Sequence, residues 1–432
     1  MKMMTAFCAS LFALTAASSV HAITMVHIAG STTYAGSANA AILKSFDTGT
    51  SVRVGTTHSD FSKSLVTFFR GTMGSTTTII ETNFSGSVAG IKAVTLGETL
   101  EFFDDNLYLV TGTTMGITVS SNPTIPTFSV GAGLNDMPSG LNVVVPEVVL
   151  SDVWQSATLY RTPTLTGAAI TGHAAGTVGV IPYVWIRTPS ASSSVNGLWN
   201  MNHNILGMLY GNGTLPLALW SNNSADETKL VYAAGRDPFS GSRLAAFAEG
   251  QVGANSTVVQ YHPLSQNSTP VTGLSQTGSI TAVELWPDTT IASPAGSFVY
   301  GNGGEASGQA LSTYMSKVFN IGTAGAMVAF CGTRDASEAI QKGAVPLCWS
   351  GVSLVSSYAM GSPPAYNYDL IRNGKYTFWA YEHMYYPSGT ATDRKTVANK
   401  IATQLYNVDA QILMSSMRVS RTVDGGVVGP IY

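Results

Sequence analysis

The chain has 432 residues, of which 45% are hydrophobic, only 10% are charged and 44 are glycine. That is enough apolar material for a packed core, and the length predicts two or three domain-sized units. The 21 basic and 24 acidic residues leave a formal net charge of −3, which excludes the broad basic surface of a nucleic-acid binder and equally an acidic tail.

The N-terminus reads as an export signal. Lys2 supplies a positive start, Phe7 to Ala17 an apolar stretch too short to span a membrane, and Val20-His21-Ala22 a small-residue cleavage site. The mature chain is expected to start at Ile23 and to be periplasmic or secreted. Two cysteines then remain, Cys331 and Cys348. In an exported protein two thiols can pair or stay buried and free. The disulfide Cys331–Cys348 is the expectation taken here.

Thr24 to Ala29 is a short apolar strand that runs into Gly30-Ser31-Thr32-Thr33. A helix follows, with Ala38, Ala41, Ile42, Leu43 and Phe46 on one face. The same order of strand, small polar turn and helix recurs at Thr78–Glu81, Gly86-Ser87 and the helix carrying Ile91, Val94 and Leu96. The stretch from Gly97 to Gly140 breaks the rhythm. It is rich in Thr, Gly and Pro, looks β-like, and is read as an insertion. Val148-Val149-Leu150 is a strand that ends on Ser151-Asp152, and Val178 to Ile186 is a longer apolar run holding Pro182. Asn202 to Tyr210 is helical. Leu230 to Ala234 leads into Gly235-Arg236, then Ser240-Gly241-Ser242, then a helix from Arg243 to Glu249. Ser307 to Phe319 and most of Asp393 to Met417 complete the helices. Strands alternating with helices predict an α/β architecture.

Enzyme signatures are missing. There is no G-x-S-x-G elbow, no S-x-x-K pair, no H-E-x-x-H and no phosphate-loop lysine motif, and the seven histidines are scattered. No cofactor, no metal and no catalytic residue is expected. What recurs instead is Ser, Thr and Gly where strands give way to helices. A helix N-terminus offers free N–H groups and partial positive charge, hydroxyls add donors, and glycine lets the backbone approach a ligand. Arg236 adds a planar fork suited to a tetrahedral oxyanion. Any one of these segments alone is an ordinary helix cap; together they point to anion binding.

In that order the segments resemble the phosphate-binding receptors of phosphate ABC importers, in the type 2 periplasmic binding protein class. Arg236-Asp237-Pro238-Phe239-Ser240-Gly241-Ser242 is similar to the family's R-x-x-x-S-G-T loop, with Ser242 in place of Thr and Pro238 where an Asp usually stands. Gly30-Ser31-Thr32-Thr33 resembles the first Gly/Ser/Thr loop, and Gly86 to Lys92 the G-S-x-x-G-[VI]-K segment. Ser151-Asp152 resembles the pair whose carboxylate reads the phosphate proton. The resemblance implies a phosphate site of Thr32, Thr33, Ser87, Asp152, Arg236, Ser240, Gly241 and Ser242.

It implies an α/β fold of two lobes joined by two hinge crossings, near Val178–Ile186 and Ala344–Val352. After a signal at residues 1–22, lobe one would be 23–182 with the insertion at about 97–140. Lobe two would be 183–345, and 346–432 would return to lobe one. The expected protein is a monomeric receptor for inorganic phosphate that serves an ABC importer complex. The alternatives are a receptor for another oxyanion such as sulfate or molybdate, a surface or structural protein that keeps the fold without tight binding, and a phosphate-handling enzyme on the same scaffold.

Overall fold

Apolar, β-branched runs bounded by glycine and small polar residues build a mixed sheet, and alanine-rich helices cover its faces. The computed structural model describes residues 23–47, 52–55, 64–103, 118–120, 127–129, 142–264, 278–286, 301–321 and 325–431. The export signal at 1–22 lies outside the described residues, and so does most of the expected insertion at 97–140. The described pieces of that segment are strands: Leu100–Phe102 pairs antiparallel with Asn142–Val144, and Thr118–Ser120 with Thr127–Ser129.

The first half of the sheet is formed by β1 (Thr24–Gly30), β2 (Val66–Met73), β3 (Thr76–Asn83) and β4 (Val148–Ser151). β1 lies parallel to β3 on one side and to β4 on the other, and β2 pairs antiparallel with β3. Helix α1 (Ala35–Ser45) buries Ala35, Ala38, Ala41 and Ile42, the face its spacing predicts. Helix α2 (Ser87–Leu96) follows β3 and ends on Gly97, whose φ of 71° is the left-handed conformation a C-terminal glycine takes without cost.

β5 (Thr177–Arg187) joins the halves. It is followed in the second half by α3 (His203–Asn212), β6 (Leu230–Ala233), α4 (Gly241–Glu249), α5 (Gly308–Met315), β7 (Ala326–Gly332), α6 (Thr333–Gln341) and β8 (Val345–Trp349). The chain then rejoins the first half through β9 (Trp379–Tyr386) and α7 (Thr392–Gln404). Thr177 to Pro182 of β5 pair with β9, whereas Tyr183 to Arg187 pair with β7 on the opposite edge. Pro182 therefore stands where the strand changes partners, the kind of position in which a missing N–H is tolerated. One path of hydrogen-bonded neighbours runs β6-β7-β5-β9-β4-β1-β3-β2 through a 15-stranded sheet. One hydrophobic core is continuous across the join, from Val26 and Ile42 through Ile181 and Trp185 to Phe330 and Trp349.

Two expectations meet a different arrangement. Val345–Trp349, read as part of the second crossing, pairs with Trp185 to Arg187 of β5 and with Asn200–Met201, all in the second half. Strand pairing with the first half resumes at Trp379, opposite Pro182. The disulfide is not formed: Cys331 and Cys348 are both free. Cys331 lies opposite Val184 on one edge of β5. Leu347 lies opposite Trp185 on the other edge, which brings Cys348 level with Val184 as well. Two strand spacings, roughly 9–10 Å, separate their Cα atoms, beyond the ~7 Å Cα reach of a disulfide.

Candidate functional site

The loops singled out in the sequence converge where the two halves face each other across β5. Three belong to the first half. Gly30 to Thr33 connects β1 to α1, Gly86 opens α2, and Ser151-Asp152 ends β4. The fourth, Arg236 to Ser240, belongs to the second half and leads into α4.

Arg236 is the centre of the constellation. Its side chain is buried, and it faces both halves at once. Nη1 donates to Ser242 Oγ at 3.1 Å and Nη2 to Thr32 Oγ1 at 3.2 Å. It is held from behind by main chain: Nε donates to the Glu305 carbonyl and Nη2 to the Ala306 carbonyl, both at 2.9 Å. These carbonyls hold the guanidinium in place from the second half. Asp237 does something else. Its Oδ1 accepts from the Phe239 amide at 2.7 Å and so shapes the loop.

Ser240 caps α4, its hydroxyl accepting from the Arg243 amide at 3.3 Å and sharing a 2.8 Å bond with Ser242 Oγ. Gly241 follows as the first helical residue. A Cβ there would overlap Asp152 Oδ1 and come within 2.6 Å of Ser87 Cβ. Glycine is thus required for the N-terminus of α4 to approach the carboxylate and the hydroxyl of the other half.

Asp152 has 1% exposure. Its Oδ1 accepts from Ser87 Oγ, and its Oδ2 from the Tyr183 hydroxyl at 2.7 Å. Ser87 Oγ also accepts from the Asp152 amide at 3.1 Å. Burial raises the Asp152 pKa, and the two hydroxyl donors and the Arg236 charge pull it back. Tyr183 stays a phenol, its pKa pushed well above the ordinary value by burial and by Asp152. Glu305, behind Arg236, is pushed up by burial to about 7, with Arg236 opposing the shift.

Thr33 is placed differently from its neighbours. Its methyl lies against the Gly332 backbone, where a Cβ would overlap it. It therefore belongs to the contact between the halves and packs beside the Arg236 cluster. The other seven expected residues are brought together around Arg236 and Asp152.

Four features escaped the sequence reading. The Phe239 carbonyl accepts from the Val88 and Ala89 amides at 3.1 and 3.3 Å, so the second half caps α2 of the first. Tyr183 donates to Asp152. Arg334 donates to the Thr32 carbonyl at 3.2 Å from the opposite half. The Gly301-Asn302-Gly303-Gly304 run holds the Arg236 loop: a Cβ on Gly304 would overlap the Arg236 carbonyl, and Arg243 bonds both the Arg236 and Asn302 carbonyls. That glycine run was the available signal.

Among the described residues no group of His, Cys, Asp and Glu could hold a metal ion, and no helix is long and apolar enough to cross a membrane. The arrangement offers a guanidinium, hydroxyls, the first amides of a helix and one acceptor carboxylate, all buried. It can bind and discriminate a small oxyanion.

No family model matches the chain, and no curated protein matches it in sequence. Solved structures resemble it in architecture. One, described as a phosphate ABC transporter substrate-binding protein with bound phosphate from Clostridium perfringens, is 10% identical, with a TM-score of 0.44 over 90% of this chain and 100% of that one. An ABC-type phosphate transport receptor from Vibrio cholerae is 12% identical, with a TM-score of 0.41 over 90% and 99%. PstS from Borrelia burgdorferi is 13% identical, with a TM-score of 0.34 over 88% and 92%. At these values the likeness bears on none of the residue assignments.

Proposed function

We propose that the chain is an exported receptor that binds inorganic phosphate between two lobes for delivery to an ABC importer. The lobes meet at Pro182–Tyr183 of β5, and the chain returns to the first lobe at Trp379. The observation that carries this reading is the Arg236 fork, whose two terminal nitrogens reach hydroxyls of opposite halves. A buried guanidinium ringed by hydroxyls and helix amides suits an anion with several acceptor oxygens.

Asp152 supplies the discrimination. A carboxylate only accepts hydrogen bonds. Phosphate at neutral pH carries a proton to give, and sulfate carries none. Against sulfate, Asp152 would face an oxygen with like charge and no donor. Sites built around one such bond reject the analogue that lacks it by roughly 10⁴ or more.

Calorimetric titration of the mature chain with phosphate and sulfate tests the reading. Tight phosphate binding with sulfate far weaker is expected, and Asp152→Asn should narrow the gap because an amide can donate to sulfate. Equal affinities in the wild type would transfer the proposal to oxyanions in general. Binding of neither would leave the fold as a surface or structural module.

A further inference from the structure

Glu382 stands in the middle of β9 with no exposed surface. Neither of its carboxyl oxygens has a hydrogen-bond partner among the described residues. On β5 its cross-strand neighbour is Gly179. On the other edge of β9, His383 lies opposite Ser151, so one step along the two strands brings Glu382 level with Asp152. A Cβ on Gly179 would come within 2.5 Å of the Tyr34 hydroxyl, which is itself buried and unpartnered among the described residues. Gly179 thus leaves room for the Tyr34 hydroxyl beside the row that runs from Gly179 through Glu382 to Asp152.

Two buried carboxyls, Asp152 and Glu382, and the half-buried Asp424 gather here, and their surroundings differ. Asp152 has two hydroxyl donors and Arg236. Asp424, from the C-terminal segment, accepts from the Trp154 amide at 2.8 Å; burial pushes it to about 7, and Arg421 offsets part of that. Glu382 has neither a donor nor a cation among the described residues. The charged group acting on it is Asp152, which reinforces the effect of burial in raising its pKa well above the ordinary value. Among the described residues Tyr34, Tyr183 and Tyr385 also feel Glu382, and all three are themselves raised by burial. His383, next along β9, is neutral, burial holding its pKa at about 3.

We infer that Glu382 is held as the neutral acid in the row beside Asp152 and so limits the negative charge that an incoming anion meets. The inference rests on the anion reading above. An ionised carboxylate buried without donors is too costly to hold. Losing the Glu382 proton would place a second negative charge beside Asp152 and oppose the anion. Anion affinity is therefore linked to retention of that proton.

The test compares the wild type with Glu382→Gln, a neutral isostere, and Glu382→Met, an apolar one, across pH. Phosphate affinity is expressed as a ratio of variant to wild type, which cancels the titration of phosphate itself. The ratio is expected near one at neutral pH and should rise about tenfold at alkaline pH, the change that one pKa unit of coupling produces. Thermal stability gives a second readout without ligand. A raised carboxyl binds its proton in the folded state and has lost it in the unfolded state, so stability falls as pH rises above the ordinary Glu value. Both variants should gain in Tm over the wild type from about pH 4.5 upward. A pH-independent ratio, or a Tm difference that does not grow with pH, overturns the inference. So does loss of folded protein in both variants, because an unpaired neutral acid has no partner to lose. If the wild type binds no phosphate, the anion reading fails with its linkage, and the Tm comparison still decides the charge state of Glu382.

Discussion

Arg236 reaches hydroxyls of both halves with one guanidinium, and its replacement should show what the constellation is for. Its buried fork has four hydrogen-bond partners among the described residues, two hydroxyls and two carbonyls. Arg236→Ala removes the counter-charge of a buried anion, an effect of about 2–5 kcal/mol by analogy with truncating one member of a buried charge pair. Titration calorimetry should therefore show phosphate affinity falling by a factor of about 30 or more. An unchanged dissociation constant would make Arg236 a purely structural tie between the halves. The convergence of these side chains was legible in the sequence only jointly, because each Ser, Thr or Gly at a strand-to-helix junction is by itself an ordinary helix cap. The supports of the site were not. The carbonyls of Glu305, Ala306 and Phe239 act through main chain, which any residue carries, so only the spacing of Gly301, Gly303 and Gly304 hinted at them.

Elements were legible where period and punctuation agreed. β1, β4, α2, α4 and the long β5 appear where their apolar runs and flanking glycines place them. The last helix was read too long. Val408 and Ile412 continue its apolar spacing, yet α7 ends at Gln404 and gives way to a π-turn over Leu405–Asp409. Ile412 then exchanges backbone hydrogen bonds with Val180 of β5 at 3.1 and 3.3 Å. Ile412 is buried in that strand contact whereas Val408 is exposed, so apolar spacing alone could not tell a helical face from a strand contact and a surface residue.

The N-terminus of α4 offers a sharper test at this scale. Alanine at position 241 should favour the helix by up to about 1 kcal/mol on propensity alone. Its Cβ, however, would overlap Asp152 Oδ1 and crowd Ser87, and overpacking of that kind costs about 1–3 kcal/mol. The clash wins. Gly241→Ala should lower Tm slightly and weaken phosphate binding severely, while circular dichroism stays unchanged. A variant that binds as the wild type does would show that the two halves need no such close approach.

β1 carries another prediction, in its pairing with β3. His27 lies opposite Glu81 in that register, with Nε2 3.5 Å from Glu81 Oε2 and Nδ1 3.1 Å from Glu147 Oε2. Burial alone would lower the His27 pKa, but the two carboxylates outweigh it and raise it to about 9. Glu147 is held below its ordinary value, with His27 and Arg394 outweighing its burial. A raised histidine contributes stability that is fully present below its unfolded value, about 6.5, and is lost as pH rises through about 9. The contribution is at most about 3 kcal/mol. Urea midpoints of the wild type and His27→Leu should therefore converge between about pH 6.5 and 9. A gap that persists at high pH would mean that His27 stabilises by packing on Phe102, its edge-on ring neighbour at 4.9 Å.

At the scale of the whole molecule, what matters is which contacts depend on the two halves being together. The core is continuous through β5, so the join itself is permanent. The contacts across the cleft are of another kind: the Phe239 carbonyl on the α2 amides, Arg334 on the Thr32 carbonyl, and Gly332 against Thr33. They sit beside the Arg236 bond to Thr32 and the approach of Gly241 to Asp152, and water could replace the polar ones if the halves moved apart. An anion binding to Arg236 and to Thr32, Ser87 and Asp152 would add bonds only in the closed arrangement, and a ligand shifts an equilibrium by its differential affinity for the two states. A ligand at a hundred times its dissociation constant stabilises the form it binds by about 2.7 kcal/mol. The amides of Val88 and Ala89 report that shift directly, because their acceptor belongs to the opposite half. Hydrogen exchange at these two amides should slow by about a factor of 100 on saturation with phosphate, while the amides inside β1 and β3 are unaffected. The radius of gyration in solution scattering should fall at the same time. Equal protection of Val88 and Ala89 with and without phosphate would mean that the halves are locked together by the protein's own contacts, and that the anion, if bound, enters a site already closed.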